Sequence, residues 1–156
     1  MAMTALQKLR RPQQVRIFSQ LPAGALNWGP PGATMVISTP QEIEALVQQI
    51  PKGKIATFDQ LKDVIAARHG TTITCPVTTG LFLGIVARAA AEQESMGVKH
   101  VTPWWRVIRT AGTLNEKFPG GLAEHERRLV SEGHVIEARG RSRRAVANPG
   151  AIHVFS

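Results

Sequence analysis

This sequence has little of what several common classes of protein require. A single cysteine among 156 residues excludes an intramolecular disulfide and favours a cytoplasmic setting. No apolar run approaches the roughly 18 residues of a membrane span, so we expect no membrane partner. The basic N-terminus is not followed by a hydrophobic segment, which argues against a secretory signal. The five histidines show no metal-ligand spacing, so we expect neither a metal site nor a cofactor.

Acidic residues are also scarce relative to basic ones. The 19 lysines and arginines outnumber the 11 acids and give a formal charge of +8, which indicates a polyanionic partner such as nucleic acid. Residues 97–156 hold ten bases against five acids, residues 1–41 hold four bases and no acid, and residues 42–96 are nearly neutral. We therefore expect the two ends of the chain to form a basic surface, with a nucleoid association if the protein is bacterial.

The chain divides into three regions by composition. The prolines and glycines of residues 1–38 favour an extended basic arm rather than a helix. Helix signals dominate residues 39–138, which predict a single mainly helical domain with little β-structure. Residues 139–156 are typical of a basic hairpin followed by a tail. The length suffices for one domain with a hydrophobic core.

The helix signals place a helix-turn-helix in the central region. Thr39 and Pro40 start a first helix, with Glu42 completing a capping box. Thr57 caps the next helix, which Gly70 closes. The β-branched segment 71–74 predicts a short strand that Pro76 breaks. We expect the following helix to be capped by Thr78 or Thr79, to run to about Glu94, and to serve as the recognition helix.

Two further elements are expected after this motif. Residues 121–132 predict a helix that Gly133 stops. Residues 134–146 have the pattern of a hairpin whose tip is rich in arginine, which is the place of a wing. The fold class is therefore mainly α with small β, a winged helix-turn-helix. The arginines of the tip suit phosphate contacts, and a solvated loop is the alternative; they are Arg139, Arg141, Arg143 and Arg144.

The segment Pro103-Trp104-Trp105-Arg106-Val107 carries the clearest motif. It resembles the PCHRV motif of the alkylguanine-DNA alkyltransferases, the methylated-DNA-protein cysteine methyltransferase family, in which the cysteine takes an alkyl group from guanine. Trp104 stands at the cysteine position and Trp105 at the histidine position. An indole offers no nucleophile for that transfer. The arrangement is therefore similar to the alkyltransferase-like proteins, which keep the fold and bind alkylated DNA without repairing it.

Two more segments carry the resemblance, which covers roughly residues 41–138. Residues 50–61 resemble the family's entry to its helix-turn-helix, where Phe58 matches the base-flipping tyrosine. Gly120-Gly121-Leu122 and Glu132-Gly133 resemble its GGL…EG helix, and Glu132 matches the glutamate that polarises the active-site histidine. The resemblance implies a base pocket, and its expected residues are Phe58, Trp104, Trp105, Phe118, Gly120 and Glu132. Aromatic faces in such a pocket stack on an extruded base, whereas core packing of the two indoles is the alternative.

The recognition helix leaves several possibilities open. Thr78, Thr79 and Gly80 suit phosphate contacts through hydroxyls and free backbone N–H groups. Apolar residues follow, and three explanations of them stay open. Only the first turn of the helix contacts DNA, or an apolar side chain enters the base stack as a wedge, or a protein partner covers the helix. The family's helix arginine corresponds to Leu81 or to Arg88, depending on where a gap is placed. For Arg106 we favour a structural salt bridge over a base contact.

Three functions compete on these residues. The first is a non-enzymatic protein that recognises alkylated or modified guanine in duplex DNA and signals to a repair protein. The second is a protein-interaction or regulatory module with non-specific DNA binding. The third is an alkyltransferase that uses Cys75, because a thiol before a helix N-terminus is electrostatically favoured as thiolate. A lone cysteine is more often a buried small hydrophobe.

Overall fold

The computed structural model describes residues 3–146 and 151–155. Within these residues five α-helices and seven short strands form, so the mainly helical fold class is confirmed. The helices are α1 Ala5–Arg10, α2 Pro40–Gln48, α3 Phe58–His69, α4 Pro76–Ser95 and α5 Gly121–Ser131. The strands are β1 Arg16–Phe18, β2 Met35–Ile37, β3 Ala56–Thr57, β4 Ile73–Thr74, β5 Val107–Ile108, β6 Val135–Arg139 and β7 Ser142–Val146. Two 3₁₀ turns complete the regular structure, at Ala23–Trp28 and Trp104–Arg106.

The long helix α4 forms the middle of the domain. α1 and α2 pack against it, and so does the Trp104–Arg106 turn. Its buried face is made of Leu83, Val86, Ala87, Ala89 and Ala90, and the small alanines allow neighbouring elements to approach closely. None of the helices in the described part of the chain is long and apolar enough to cross a bilayer.

Three small sheets hold the loops between the helices. β1 pairs antiparallel with β2, and β2 pairs parallel with β4. β3 pairs parallel with β5, which places the start of α3 beside the end of the tryptophan motif. β6 and β7 form the antiparallel hairpin expected at the place of a wing. The C-terminal tail returns to the domain, where Ile55 bridges to Ile152 and Phe155 packs on the main core.

The helix-turn-helix forms as predicted, with one boundary corrected. Thr57 and Gln60 make the expected capping box on α3, and Gly70 closes that helix in the left-handed conformation. α4 begins at Pro76, with Cys75 as N-cap, rather than after Thr78 or Thr79. A proline is tolerated at the first helical position because its missing N–H has no helical partner there, so Pro76 starts the helix instead of breaking the strand.

The expectation of an extended arm over residues 1–38 was wrong at the level of local structure. This region contains α1, the strands β1 and β2, and a 3₁₀ turn. Thr4 and Gln7 form a capping box on α1, and Leu9 is buried in the main core. The carboxylate of Glu92 accepts hydrogen bonds from the backbone N–H groups of Ala5 at 2.8 Å and Leu6 at 3.0 Å. A partner 86 or more residues away stabilises this short helix, and a local pattern does not reveal it.

Replacing Glu92 by alanine is expected to detach α1 from α4. Two helix N–H groups lose their acceptor, and comparable cap removals cost about 0.5–2 kcal/mol. Urea unfolding should show that loss, and limited proteolysis should cut the chain faster near Arg10 and Arg11. Glu126→Ala serves as the control, because among the described residues Glu126 makes a long ion pair of 3.8 Å with Arg143. Equal stability of both variants would contradict the prediction.

Candidate nucleic-acid interface

The tryptophan motif forms a 3₁₀ turn rather than a strand. Pro103 precedes the turn Trp104–Arg106, and Val107 and Ile108 continue as β5. Strand β5 pairs with Ala56 and Thr57 of β3, so the motif lies next to the first turn of α3. In a 3₁₀ turn successive side chains are separated by about a third of a rotation. The two indoles therefore point in different directions.

Trp104 lies entirely within the core. Its side chain is fully buried, and its ring contacts Trp105 at 5.7 Å and Phe118 at 5.2 Å between centroids, in edge-to-face geometry. The indole Nε1 is buried and has no hydrogen-bond acceptor among the described residues. The expectation that Trp104 lines an open pocket is therefore corrected, since the large ring fills the space at the position of the nucleophile.

Trp105 and Arg106 meet at a buried carboxylate. Trp105 Nε1 donates to Glu132 Oε2 at 3.0 Å, and the Arg106 guanidinium forms hydrogen bonds of 2.8 and 2.9 Å with the two oxygens of Glu132. Arg106 also donates to the Ile50 carbonyl at 2.7 Å. Burial alone would raise the pKa of Glu132, but the hydrogen bonds from Arg106 and Trp105 outweigh it, so this pKa lies below its usual value. Glu132 and Arg106 thus have structural partners within the protein.

A further cation covers both indoles. The Arg128 guanidinium carbon lies 5.1 Å from the ring centroid of Trp104 and 4.7 Å from that of Trp105. Carboxylates on two helices hold it: Glu94 of α4 at 2.7 Å and Glu124 of α5 at 2.7 Å. The sequence analysis did not single out this residue. Its spacing of four residues from Glu124 on a predicted helix was the available signal.

His125 is a neutral link between the motif and the next loop. It is fully buried, its Nδ1 accepts from the Asn115 N–H at 3.1 Å, and its Nε2 donates to the Trp105 carbonyl at 2.9 Å. One acceptor and one donor nitrogen define a single neutral tautomer. Burial lowers the pKa of His125 to about 4, although the hydrogen bond to the Trp105 carbonyl by itself raises this pKa.

A groove of about 710 Å³ opens beside this assembly. Phe58 at the start of α3 and Phe118 supply aromatic side chains to its wall, and Val107 and Ile108 of β5 add apolar ones. One face of α4 forms the opposite side. Because Phe118 is in ring contact with Trp104, the tryptophan supports the groove from behind and does not line it. Gly120 and Trp105 are not among the lining residues either.

Six residues of α4 line the groove. Five of them form a stripe at helical spacing, namely Val77, Gly80, Leu81, Gly84 and Arg88, and the sixth is Leu83. Leu81 and Arg88 both lie on this stripe because seven residues make about two turns, so both candidates for the helix arginine position face the groove. Leu81 is 61% exposed. The guanidinium of Arg88 folds back along the helix, since a Cβ on Gly84 would lie 3.0 Å from its Nη1.

The first turn of α4 contributes less than expected. Thr79 is fully buried, and its hydroxyl donates to the Cys75 carbonyl at 2.6 Å. The Thr78 hydroxyl makes a longer contact of 3.5 Å with the same carbonyl and does not line the groove. Only Gly80 of this group lies on the groove. The expectation of phosphate contacts from Thr79 is therefore corrected, because an N-terminal turn that begins at Pro76 points this side chain inward.

The side chain of Cys75 packs in a different hydrophobic cluster from Trp104. It is buried with Leu21, Ala33 and Met35 in a small cluster separate from the main core that holds Trp104. The thiol does not line the groove. The structure thus does not bring Cys75 and Trp104 together, and an alkyltransferase that uses this thiol has no geometric support.

The loop after β5 supplies cations that the sequence analysis missed. Arg109 and Lys117 line the groove, and Arg109 also bonds Asn115 and Glu116 at 3.2 and 3.1 Å. Arg141 of the hairpin is exposed, and Arg143 is partly exposed with Glu126 3.8 Å away. Arg139 and Arg144 belong to the hairpin strands, but their side chains lie outside the described part of the structure. Loop cations have no periodic pattern, which is why local spacing did not reveal them.

The buried His125 predicts an acid-sensitive domain. Its folded pKa is depressed, so the stability it contributes is present above the unfolded pKa of 6.5 and is lost as the pH falls toward about 4. NMR titration should show the ring neutral down to about pH 4. Over this pH interval the free energy of unfolding, measured with urea, should fall by on the order of 3 kcal/mol more for the wild-type protein than for a His125→Gln variant. The exposed His100→Gln variant should retain the wild-type profile.

The sequence matches the family model of the 6-O-methylguanine DNA methyltransferase, DNA binding domain, over residues 38–134. No curated protein matches the chain significantly. A crystal structure of S. pombe Atl1 in complex with damaged DNA containing O6-carboxymethylguanine shares 22% identity and a TM-score of 0.46, covering 74% of this chain and 94% of that one. A structure of S. pombe ATL in complex with DNA gives 22% identity, a TM-score of 0.45 and the same coverage. Since the family model spans well over half of the chain and Trp104 replaces the cysteine, this protein belongs to the 6-O-methylguanine DNA methyltransferase DNA-binding-domain family as an alkyltransferase-like member.

Proposed function

We propose that this protein binds duplex DNA and holds an extruded, alkylated guanine in the groove beside α4, without taking the alkyl group itself. The observation that carries the proposal is the groove. Its volume of about 710 Å³ falls within the roughly 300–1,000 Å³ of small-ligand sites. It is lined by two phenylalanines and a basic rim. The relatives found bound to DNA containing O6-carboxymethylguanine or to DNA agree with this function.

The chemistry of the wall suits a modified base. Phe58 and Phe118 present aromatic surface, on which a base stacks with about 1–3 kcal/mol. An alkyl group on guanine weakens its pairing, which lowers the cost of extrusion. That group also gains from leaving water for an apolar wall such as Val107 and Ile108. Unmodified guanine has neither advantage, so a preference for the lesion follows.

The cations around the groove supply the affinity for the DNA backbone. Arg88, Arg109 and Lys117 all line it. Positive side chains near a duplex release counterions, which produces binding that weakens with salt. Leu81, 61% exposed on the same helix, is placed to enter the base stack as an apolar wedge. Charge would then hold the duplex, and the apolar residues would hold the altered nucleotide.

The proposed absence of alkyl transfer rests on what surrounds the groove. None of the described residues that line it is a cysteine, a histidine or a carboxylate. Trp104 fills the nucleophile position within the core, and Cys75 is buried in another cluster. A protein that binds a lesion and leaves it intact stays bound to the modified DNA as a complex. We infer that this complex is presented to a separate DNA-repair protein.

A second candidate is an interaction module whose partner is a protein. It is favoured by the exposed apolar side chains at the start of α4, where Val77 is 57% and Leu81 61% exposed. These residues would bind a partner, and DNA binding would be non-specific. The two candidates differ in lesion preference, because only a base-holding groove distinguishes a modified guanine from guanine.

Filling the groove is expected to abolish lesion preference. Gly80→Leu adds a side chain beside Phe58, and its Cβ would make an ordinary 3.9 Å contact with the Phe58 ring. Leucine also suits a helix better than glycine by about 0.8–1 kcal/mol, so folding is not threatened. Wild-type protein should bind a duplex with O6-methylguanine more tightly than the same duplex with guanine. The variant should bind both duplexes equally, as fluorescence anisotropy can measure.

Gln93→Leu is the matched control for this experiment. It adds a leucine to the same helix, about three and a half turns from Gly80 and beyond the last residue of α4 that lines the groove, and should keep the wild-type preference. If wild-type protein binds both duplexes equally, the base-holding function is wrong and the interaction module takes its place. If Gly80→Leu retains the preference, the lesion is recognised somewhere other than in the groove.

Incubation with a duplex carrying a radiolabelled alkyl group on guanine is expected to leave the protein unlabelled. The physical reason is that an indole at position 104 cannot accept the group and that the thiol at position 75 is buried. Mass spectrometry of the intact protein should show no added mass. Stoichiometric label that disappears in a Cys75→Ser variant would establish alkyl transfer instead.

A further inference from the structure

A second, smaller cavity lies between the loop after β5 and the hairpin. Its volume is about 390 Å³. One wall comes from the turn Arg109–Glu116, and the other comes from the β6–β7 hairpin, with Leu122 of α5 also present. We name it the hairpin cleft, and its described lining residues are Arg109, Thr113, Leu114, Glu116, Leu122, Arg141, Ser142 and Arg143.

Positive charge dominates the hairpin cleft. Three arginines, Arg109, Arg141 and Arg143, stand against the single acid Glu116 in its lining. Glu116 is already engaged by Arg109 at 3.1 Å. Arg141 is exposed, and Arg143 Nε lies 3.8 Å from Glu126 Oε1, which is a long distance for an ion pair. The two hairpin arginines therefore retain donors for an anion, and planar guanidinium groups suit phosphate.

The walls of the hairpin cleft are held together by backbone bonds. The Leu114 N–H donates to the Arg143 carbonyl at 2.8 Å, which joins the loop to β7. Within the loop, the Arg109 N–H donates to the Thr113 carbonyl at 2.9 Å, and Gly112 adopts a positive φ of 88° in the turn. Leu114 itself is buried in the second hydrophobic cluster. The arginines thus project from a fixed frame.

The hairpin cleft adjoins the groove. Arg109 and Thr113 line both cavities, so the turn between them is a ridge with one cavity on each side. A single strand that crossed this ridge would present a base to the groove and its neighbouring phosphates to the hairpin cleft.

We propose that the hairpin cleft binds the backbone phosphates of the strand that carries the extruded guanine, on one side of the lesion, through Arg109, Arg141 and Arg143. This inference rests on the proposed function and adds a second phosphate site to it, with the contact residues Arg141 and Arg143 of the hairpin. The hairpin cleft would provide affinity without reading the base, because phosphates carry no sequence information.

The test compares Arg141→Gln and Arg141→Gln/Arg143→Gln with wild-type protein on a duplex carrying O6-methylguanine. Removing an arginine that contacts a phosphate should make the negative slope of log K against log salt shallower by about 0.9. The preference for the lesion over guanine should remain, because the groove is unchanged. Shortening the duplex on the flank that lies over the hairpin should weaken DNA binding by the wild-type protein. The affinity of the double variant should not change.

Arg68→Gln is the matched control, since Arg68 is an exposed arginine in the last turn of α3, at the end opposite Phe58. It should leave the salt slope unchanged. If the double variant shows the wild-type slope, the phosphate-binding role of the hairpin cleft is wrong. The proposed function of the groove would still be supported by lesion preference. A wild-type protein without lesion preference overturns the proposed function, whatever the hairpin variants do. Equal unfolding curves for all variants exclude a loss of structure as the cause.

Discussion

The buried carboxylate of Glu132 is the interaction on which the candidate interface depends. It terminates α5, accepts from Trp105, and is paired with Arg106, whose guanidinium also reaches the carbonyl at the end of the α2 region, Ile50. A single acid thereby joins three segments that are distant in sequence. Because the side chains of Arg106 and Glu132 are only 14% and 7% exposed, removal of either would leave a buried charge without its counter-charge, which typically costs about 3–5 kcal/mol.

The same glutamate accommodates the tryptophan that stands at the family's histidine position. In the resemblance, the glutamate position serves a histidine, and here an indole N–H takes the place of that donor at 3.0 Å. A donor of the same polarity satisfies the carboxylate, so the surrounding structure needs no rearrangement. Trp104 likewise replaces a small side chain with a large ring that packs against Phe118 and His125. The position that matches the family's cysteine therefore belongs to the core, and the groove lies beside it.

Much of the framework could be predicted from the sequence because its signals are local. Thr57 with Gln60, Gly70 after α3, and the hairpin at 135–146 all depend on residues within a few positions of each other. The errors occur where distant residues decide. Glu92 stabilises α1, which local composition assigned to an extended arm. The groove is formed by α3, α4 and a loop, so Arg109 and Lys117 became visible only when the chain was folded. Trp104 was assigned to the pocket wall, since no local pattern shows whether an aromatic ring faces inward.

Gly84 determines where one positive charge of the groove is placed. The Arg88 guanidinium lies over this glycine, and any Cβ there would lie 3.0 Å from Nη1. A methyl group at position 84 would leave the composition of the surface unaltered, yet it would displace the cation from its place on the helix. The position of a charge on this surface can therefore change while the total charge stays the same. Gly84, a small residue that carries no charge, controls that position.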